Sequence, residues 1–143
     1  MVSIMEIKRI LGLDVGDKTI GVAISDPLFI TAQGLKTIYR DEDIKKDLEE
    51  LKSIIEEYDI CKIVVGFPKN MNNTVGPQGE KVLKFVEEIK RNMDVGVILE
   101  DERLSTVAAE KMLIQGDVTR KKRKKVIDKV AATYILQIYL DRN

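Results

Sequence analysis

Residues 10–26, ILGLDVGDKTIGVAISD, decide the fold of this chain, because they predict two strands joined by a short turn that contains glycine. One carboxylate, Asp14, stands at the end of the otherwise apolar first strand. Burying a carboxylate costs free energy unless a cation or hydrogen-bond donors compensate its charge. Asp14 is therefore the first candidate for a functional side chain, and the question is which other residues could share its site.

The size and composition of the chain predict a single globular domain over residues 1–143. Apolar residues make up 44% of the sequence and charged residues 34%. No apolar run approaches the roughly 18 residues of a membrane span, and the N-terminus carries no signal-peptide block. We therefore expect a cytoplasmic protein without a membrane partner. Cys61 is the only cysteine, so no intramolecular disulfide can form, and we interpret it as an apolar strand residue.

The chain contains no histidine. This absence excludes a Ser-His-Asp triad, a Cys-His pair and an imidazole ligand for zinc. Any catalysis would depend on carboxylates, lysines, hydroxyls or a hard metal ion bound by oxygen ligands.

Charges are segregated along the chain, although the formal net charge is zero. Residues 41–59 contain nine acids and three lysines, a local net charge of −6. Residues 120–125, RKKRKK, are six consecutive bases, named here the basic block. Such a block attracts polyanions, although a solvated basic turn is the alternative interpretation.

Apolar periodicity predicts the order of strands and helices. Strands are predicted at residues 7–14, 20–25, 35–39, 62–66 and 95–100. Helices are predicted at residues 43–58 and 78–91, from an N-cap at Ser105 to Gly116, and at about 125–141 after the basic block.

This order of elements predicts an α/β fold with a five-stranded mixed sheet flanked by helices. The first three strands would form an antiparallel meander, and the later strands, separated by helices, would pair in parallel. The longest irregular stretch, residues 67–77 with the sequence FPKNMNNTVGP, follows a strand end. Loops in that position commonly bind ligands in open α/β sheets.

Two further acidic positions could share a site with Asp14. Asp101 and Glu102 directly follow the strand predicted at residues 95–100, although with Arg103 they could equally form a solvated strand end. Asp128 lies in the last predicted helix, where a cap or first-turn role favoured by the helix dipole is the alternative. It shares a helical face with four apolar residues, at i+3, i+4, i+7 and i+11: Ala131, Ala132, Ile135 and Tyr139.

One metal site is predicted if the last helix packs across the strand ends, with ligands at Asp14, at Glu102 (or Asp101) and at Asp128. Carboxylates that converge without a cation repel one another and raise their own pKa values. Mg²⁺ or Mn²⁺ would remove that cost, and two ions about 4 Å apart can clamp a phosphodiester during in-line attack by water. The basic block would then bind the phosphate backbone of a nucleic acid.

Four segments resemble the YqgF family, also called RuvX, whose fold is RNase H-like and related to RuvC-type Holliday-junction resolvases. They are LGLDVGDKTIGVAISD, VVGFPKNMNNTVGPQGEKVLKF, LEDERLSTVAAE and RKKRKKVIDKVAATYILQIYLD. The resemblance implies a nuclease with catalytic and metal-binding acids at Asp14, Glu102 and Asp128, with Asp101 as an alternative to Glu102. It also implies a role in processing the 5′ end of precursor 16S ribosomal RNA. Asn73 departs from the glycine expected in the long loop, although Asn tolerates left-handed backbone.

The leading hypothesis is a metal-dependent endonuclease that acts on structured RNA. A resolvase of branched DNA is the close alternative, and a non-catalytic nucleic-acid binder is the second. An actin-like or sugar-kinase ATPase would need a second comparable domain, for which 143 residues leave no room. Oligomeric state stays open. The candidate substrate-binding residues are Lys18, Arg103, Arg120, Lys121, Lys122 and Arg123.

Overall fold

The computed structural model describes residues 7–68, 75–101 and 120–143, and for residues 120–129 it describes the backbone only. The strands are β1 (Arg9–Val15), β2 (Thr19–Ser25), β3 (Ala32–Tyr39), β4 (Ile60–Phe67) and β5 (Gly96–Asp101). The helices are α1 (Ile44–Glu57), α2 (Pro77–Asn92) and α3 (Arg120–Arg142).

The five strands form one mixed sheet in the order β3-β2-β1-β4-β5. β1, β2 and β3 pair antiparallel, whereas β1, β4 and β5 pair in parallel. The predicted meander and the predicted parallel half are both confirmed. β1 lies at the centre of the sheet, where strands are covered on both faces, which explains its nearly continuous apolar sequence.

The two faces of the sheet carry separate hydrophobic clusters, because successive strand residues point to opposite faces. Leu11 and Leu13 of β1 belong to the cluster that α1 and α2 cover. Ile10 belongs to the cluster that α3 covers, together with Ala132 and Leu136. By the same alternation, Gly12 and Asp14 are on the α3 face of β1.

Most predicted boundaries lie within two residues of the observed ones, but two were wrong by three residues or more. β3 begins at Ala32, not at residue 35, because Ala32 and Gln33 pair with β2 although this edge strand lacks an apolar pattern there. α3 begins no later than Arg120, not at residue 125, so the basic block is helical; Lys and Arg are good helix formers.

The position of α3 also corrects the alternative role considered for Asp128. That residue lies eight positions after Arg120, more than two helical turns into α3, so it is neither a cap nor a first-turn residue. Its predicted apolar partners Ala131, Ala132, Ile135 and Tyr139 are all buried, which confirms the predicted buried stripe. The helix predicted from Ser105 to Gly116 lies outside the described residues.

Among residues 7–68, 75–101 and 120–143, no helix combines the length and the apolar character that crossing a membrane requires.

Candidate active site

Asp14 is a half-buried carboxylate in the central strand, and glycines flank it on both neighbouring strands. It pairs with Gly21 of β2. On the other side Leu13 pairs with Val65, and continuing this parallel register by one residue places Gly66 beside Asp14. Since glycine has no side chain, neither neighbour covers the carboxylate on its face of the sheet. The register therefore places Asp14 between two residues that have no side chain.

α3 packs directly on β1 next to this position. A Cβ atom added to Gly12 would lie 2.7 Å from Cβ of Leu136 and 3.0 Å from the carbonyl oxygen of Ala132. Ile10, at the start of β1, lines one cavity with Tyr139 and Leu140 near the end of α3, so the helix advances in the direction opposite to β1 while it crosses the sheet obliquely. Asp14 lies two residues beyond Gly12, about 7 Å further along β1. Asp128 lies one helical turn before Ala132, which is about 6 Å along the helix axis. Because the helix and the strand advance in opposite directions, this displacement is toward the end of β1 that carries Asp14.

Strand alternation separates the acids at the end of β5. Gly66 pairs with Glu100, and Phe67 pairs with Asp101. Glu100 is on the α3 face and only 3% exposed, whereas Asp101 is on the opposite face, with Phe67. Glu102 lies outside the described residues.

Glu100 was not predicted as a site residue, and its role in the described structure is an ion pair. Arg142, near the C-terminal end of α3, donates a hydrogen bond to Oε2 of Glu100. The pair joins β5 to α3 across the face that carries Asp14. Glu100 comes two residues after the apolar Ile98 and therefore lies on the same face of β5, which was the sequence signal for an inward-facing acid. Its partner Arg142, however, is 42 residues away in the chain.

The turn after Asp14 is closed by a hydrogen bond from the Gly16 N–H to the Thr19 carbonyl, at 2.8 Å. Lys18 is exposed in this turn. α2 contacts the turn at two points: Nε2 of Gln78 donates to the Val15 carbonyl at 3.2 Å, and Nζ of Lys81 lies 3.0 Å from Oδ1 of Asp17. The turn is thus attached to the body of the protein.

Arg40, which was not predicted from the sequence, also contacts this turn, through a hydrogen bond to the Gly16 carbonyl. Arg40 and Asp47 form an ion pair at 3.0 Å, and Asp47 is only 2% exposed. Asp47 also accepts the backbone N–H of Asp41. The pKa of Asp41 is held below its usual value, mainly by a hydrogen bond from the Asp43 backbone N–H and to a smaller extent by the charge of Lys46. An acid among the apolar positions of α1 was the signal for this pair.

The described residues bring together part of the predicted site. Asp14 and Lys18 are described in full, at β1 and in the turn that follows it. Asp128 and the basic residues 120–123 are placed on α3 by their backbone only, and Arg103 is outside the described residues. Among the side chains that the structure describes, no group of three His, Cys, Asp or Glu residues could hold a metal ion.

Sequence comparison identifies the family. Residues 8–142 match the model of the RuvX family, described as a Holliday junction resolvase. A protein of Desulforamulus reducens named "Putative pre-16S rRNA nuclease" is 67% identical over 133 residues, which cover 93% of this chain and 96% of that protein. A protein of Clostridioides difficile with the same name is 64% identical, covering 93% of this chain and 94% of that protein.

Solved structures share the fold at low sequence identity. The fowlpox virus resolvase in complex with Holliday junction DNA superposes with a TM-score of 0.58 at 16% identity, covering 94% of this chain and 97% of that one. RuvC of T. thermophilus in complex with a Holliday junction gives a TM-score of 0.51 at 14% identity, covering 94% and 95%. The fold is therefore that of the RuvC-like, RNase H-like resolvases. With the family model matched over nearly the whole chain, this protein belongs to the RuvX family.

Proposed function

We propose that this protein is a single-domain, metal-dependent endonuclease whose substrate is precursor 16S ribosomal RNA in the cytoplasm. Membership of the RuvX family and the nuclease names of its relatives make the chain an endonuclease of the hydrolase class. The observation that carries the proposal further is the position of Asp14: a half-buried carboxylate in the central strand, between two glycines and on the face of the sheet that α3 covers.

Asp14, Glu102 and Asp128 are the proposed catalytic acids and metal ligands. Support for Asp128 comes from the direction in which α3 crosses β1, opposite to that of the strand, which brings the backbone of residue 128 toward the level of Asp14. Support for Glu102 over Asp101 comes from alternation, since Asp101 is on the face opposite to Asp14, and a strand continued by one residue would return Glu102 to the Asp14 face.

The donor set fits Mg²⁺ or Mn²⁺. The chain has no histidine, and its candidate ligands are carboxylate oxygens, which hard divalent cations prefer. When bound, such ions supply an activated water and stabilise the charge that develops on the phosphate. Asp14, Glu102 and Asp128 would hold them, and the glycines beside Asp14 would leave space for the phosphodiester.

Binding of the substrate is assigned to cationic side chains around this face. Lys18, exposed in the turn after Asp14, is proposed to contact a phosphate near the cleavage site. Arg103 and the basic residues 120–123 are proposed to bind the backbone further along the nucleic acid. The basic block lies on α3 just before Asp128, so the charge that attracts the polyanion and a proposed catalytic acid belong to one helix.

The choice between RNA and branched DNA rests on the relatives. Those at 58–67% identity carry the pre-16S rRNA nuclease name, whereas the structural neighbours that act on Holliday junctions are only 14–17% identical. High identity over nearly the full chain favours the ribosomal RNA precursor.

A cleavage assay tests the proposed function. A precursor 16S ribosomal RNA fragment that retains its 5′ extension and a four-way DNA junction are each incubated with the protein, with and without Mn²⁺. We expect cleavage of the RNA that requires the metal ion. Preferential cleavage of the junction would replace RNA by branched DNA as the substrate, and binding without cleavage of either would reduce the protein to a nucleic-acid binder.

Neutralising the basic block is expected to weaken RNA binding and flatten its salt dependence. For single-stranded segments, the slope of log K against log salt should fall by about 0.7 for every phosphate that the variant no longer neutralises. The variant replaces all six bases of residues 120–125 with Gln, and the Kd is measured by fluorescence anisotropy between low and moderate salt.

The control for this measurement neutralises the three lysines of residues 41–59, Lys45, Lys46 and Lys52. These lie on or near α1, on the other face of the sheet from α3. Their removal should leave the salt slope unchanged. A slope that is the same in the basic-block variant and in the parent would exclude the block from the interface.

A further inference from the structure

Arg40, directly after β3, contacts the turn that follows Asp14 although 24 residues separate it from Gly16. Its Nη1 donates a hydrogen bond to the Gly16 carbonyl at 2.8 Å, and its backbone N–H donates to the Lys18 carbonyl at 2.8 Å. Arg40 therefore holds the two carbonyl groups that stand on either side of Asp17.

The guanidinium of Arg40 is itself held in one orientation. Its Nε donates to Oδ2 of Asp47 at 3.0 Å, and the remaining oxygen of that buried carboxylate accepts the Asp41 N–H at 3.0 Å. The guanidinium carbon also lies 5.1 Å from the centre of the Phe85 ring. With a side chain only 19% exposed, Arg40 links α1, the hydrophobic core and the turn after Asp14.

A gain in stability does not by itself account for this arrangement. A buried ion pair often contributes little net stability, because desolvation of the two charges offsets their attraction. The planar guanidinium instead supplies several donors in a fixed geometry, so it can bind Asp47 and the Gly16 carbonyl at once. Such a group is suited to fixing the orientation of a backbone segment.

We propose that Arg40 is a positioning residue of the cleavage site, one that orients Asp14 and Lys18 through the turn between them without touching the substrate. The inference rests on the proposed function of Asp14. It adds α1, through Asp47, to the elements that determine the geometry of the site. The exposed Lys81–Asp17 pair on the same turn should contribute much less, since solvent screens it.

Steady-state cleavage by Arg40→Ala and Arg40→Lys tests the inference. The substrate is the precursor RNA or the four-way junction, whichever the parent cuts, with Mn²⁺ and at a temperature where circular dichroism shows each variant folded. Misplaced catalytic groups can cost up to about a hundredfold in rate, so we expect kcat to fall about 10- to 100-fold while KM stays within about twofold. Arg40→Lys should also lower kcat, because an ammonium lacks the planar fork.

Lys36→Ala is the matched control. Lys36 of β3 forms a 2.7 Å ion pair with Glu50 of α1, so like the Arg40–Asp47 pair it joins the β3 region to α1. It pairs with Val22, three residues along β2 from the turn end at Thr19. Its removal should leave kcat and KM unchanged. If Arg40→Ala does not fold, Arg40→Lys and Asp47→Asn carry the same comparison.

Each outcome decides one hypothesis. Arg40 variants with the kcat of Lys36→Ala would overturn the positioning role, and so would an effect confined to KM, which would mean that Arg40 affects substrate binding and not the position of Asp14. Asp14→Asn is measured in parallel. If that variant is inactive while the Arg40 variants keep their kcat, only the positioning inference fails; if Asp14→Asn cleaves like the parent, the proposed function itself fails.

Discussion

Asp14→Asn is expected to reduce cleavage at least about a hundredfold in Mg²⁺ or Mn²⁺, because metal-ion catalysis contributes several kcal/mol and each 1.36 kcal/mol is about tenfold in rate. Asparagine keeps the size of the side chain and removes its charge. RNA binding should persist, since the proposed backbone contacts come from the basic block. Single-turnover cleavage and fluorescence anisotropy measure the two effects separately.

The protein offers a close control for this substitution in Asp17→Asn. Asp17 lies three residues further along, in the turn itself, and pairs with Lys81 on the surface. Neutralising it should leave the cleavage rate within about twofold, because exposed ion pairs contribute little. Equal activity in Asp14→Asn, Asp17→Asn and the parent would refute the metal-site assignment.

The same assay distinguishes the two acids that follow β5. Asp101 is on the face opposite to Asp14, so Asp101→Asn should retain activity, whereas Glu102→Gln and Asp128→Asn should behave like Asp14→Asn. If Asp101→Asn were inactive and Glu102→Gln active, Asp101 would replace Glu102 as the proposed ligand.

The sheet could be predicted from sequence because each strand carries its own apolar pattern. The continuous run Ile63, Val64 and Val65 predicted a strand covered on both faces, and all three residues are fully buried. The first turn and its glycine predicted the antiparallel pairing of β1 and β2. Boundaries were less predictable where backbone pairing or helix propensity, and not the apolar pattern, determines where an element begins. Ala32 of β3 and Arg120 of α3 are the examples.

The supporting contacts of the site could not be predicted, because they join residues far apart in sequence. Asp14 was evident as a carboxylate in an apolar strand, and Asp128 as an acid on an apolar helical stripe. For Arg40 and Glu100, the neighbouring sequence does not indicate which residues they contact. Their roles follow from tertiary contacts, with Gly16 in one case and Arg142 in the other.

The close packing of α3 on β1 explains why glycine occupies position 12. A methyl group there would lie 2.7 Å from Cβ of Leu136 and 3.0 Å from the Ala132 carbonyl, and both neighbours belong to a buried helix face. Neither contact involves the far end of a flexible side chain. A side chain at position 12 would therefore push α3 away from the strand.

Gly12→Ala is accordingly expected to lower the free energy of unfolding by about 1–3 kcal/mol, the usual cost of overpacking a core. Gly12→Val should cost more. Cleavage at a temperature where the variants are folded should also fall, because a displaced α3 would move the proposed ligand Asp128 away from the proposed site at Asp14.

Gly96→Ala is the control: a Cβ there meets nothing within 4 Å, so alanine should be neutral or stabilise β5 by about 0.4–1 kcal/mol. Denaturant unfolding followed by circular dichroism measures both variants, and equal stabilities would show that Gly12 is not required for the contact between α3 and the strand that carries Asp14.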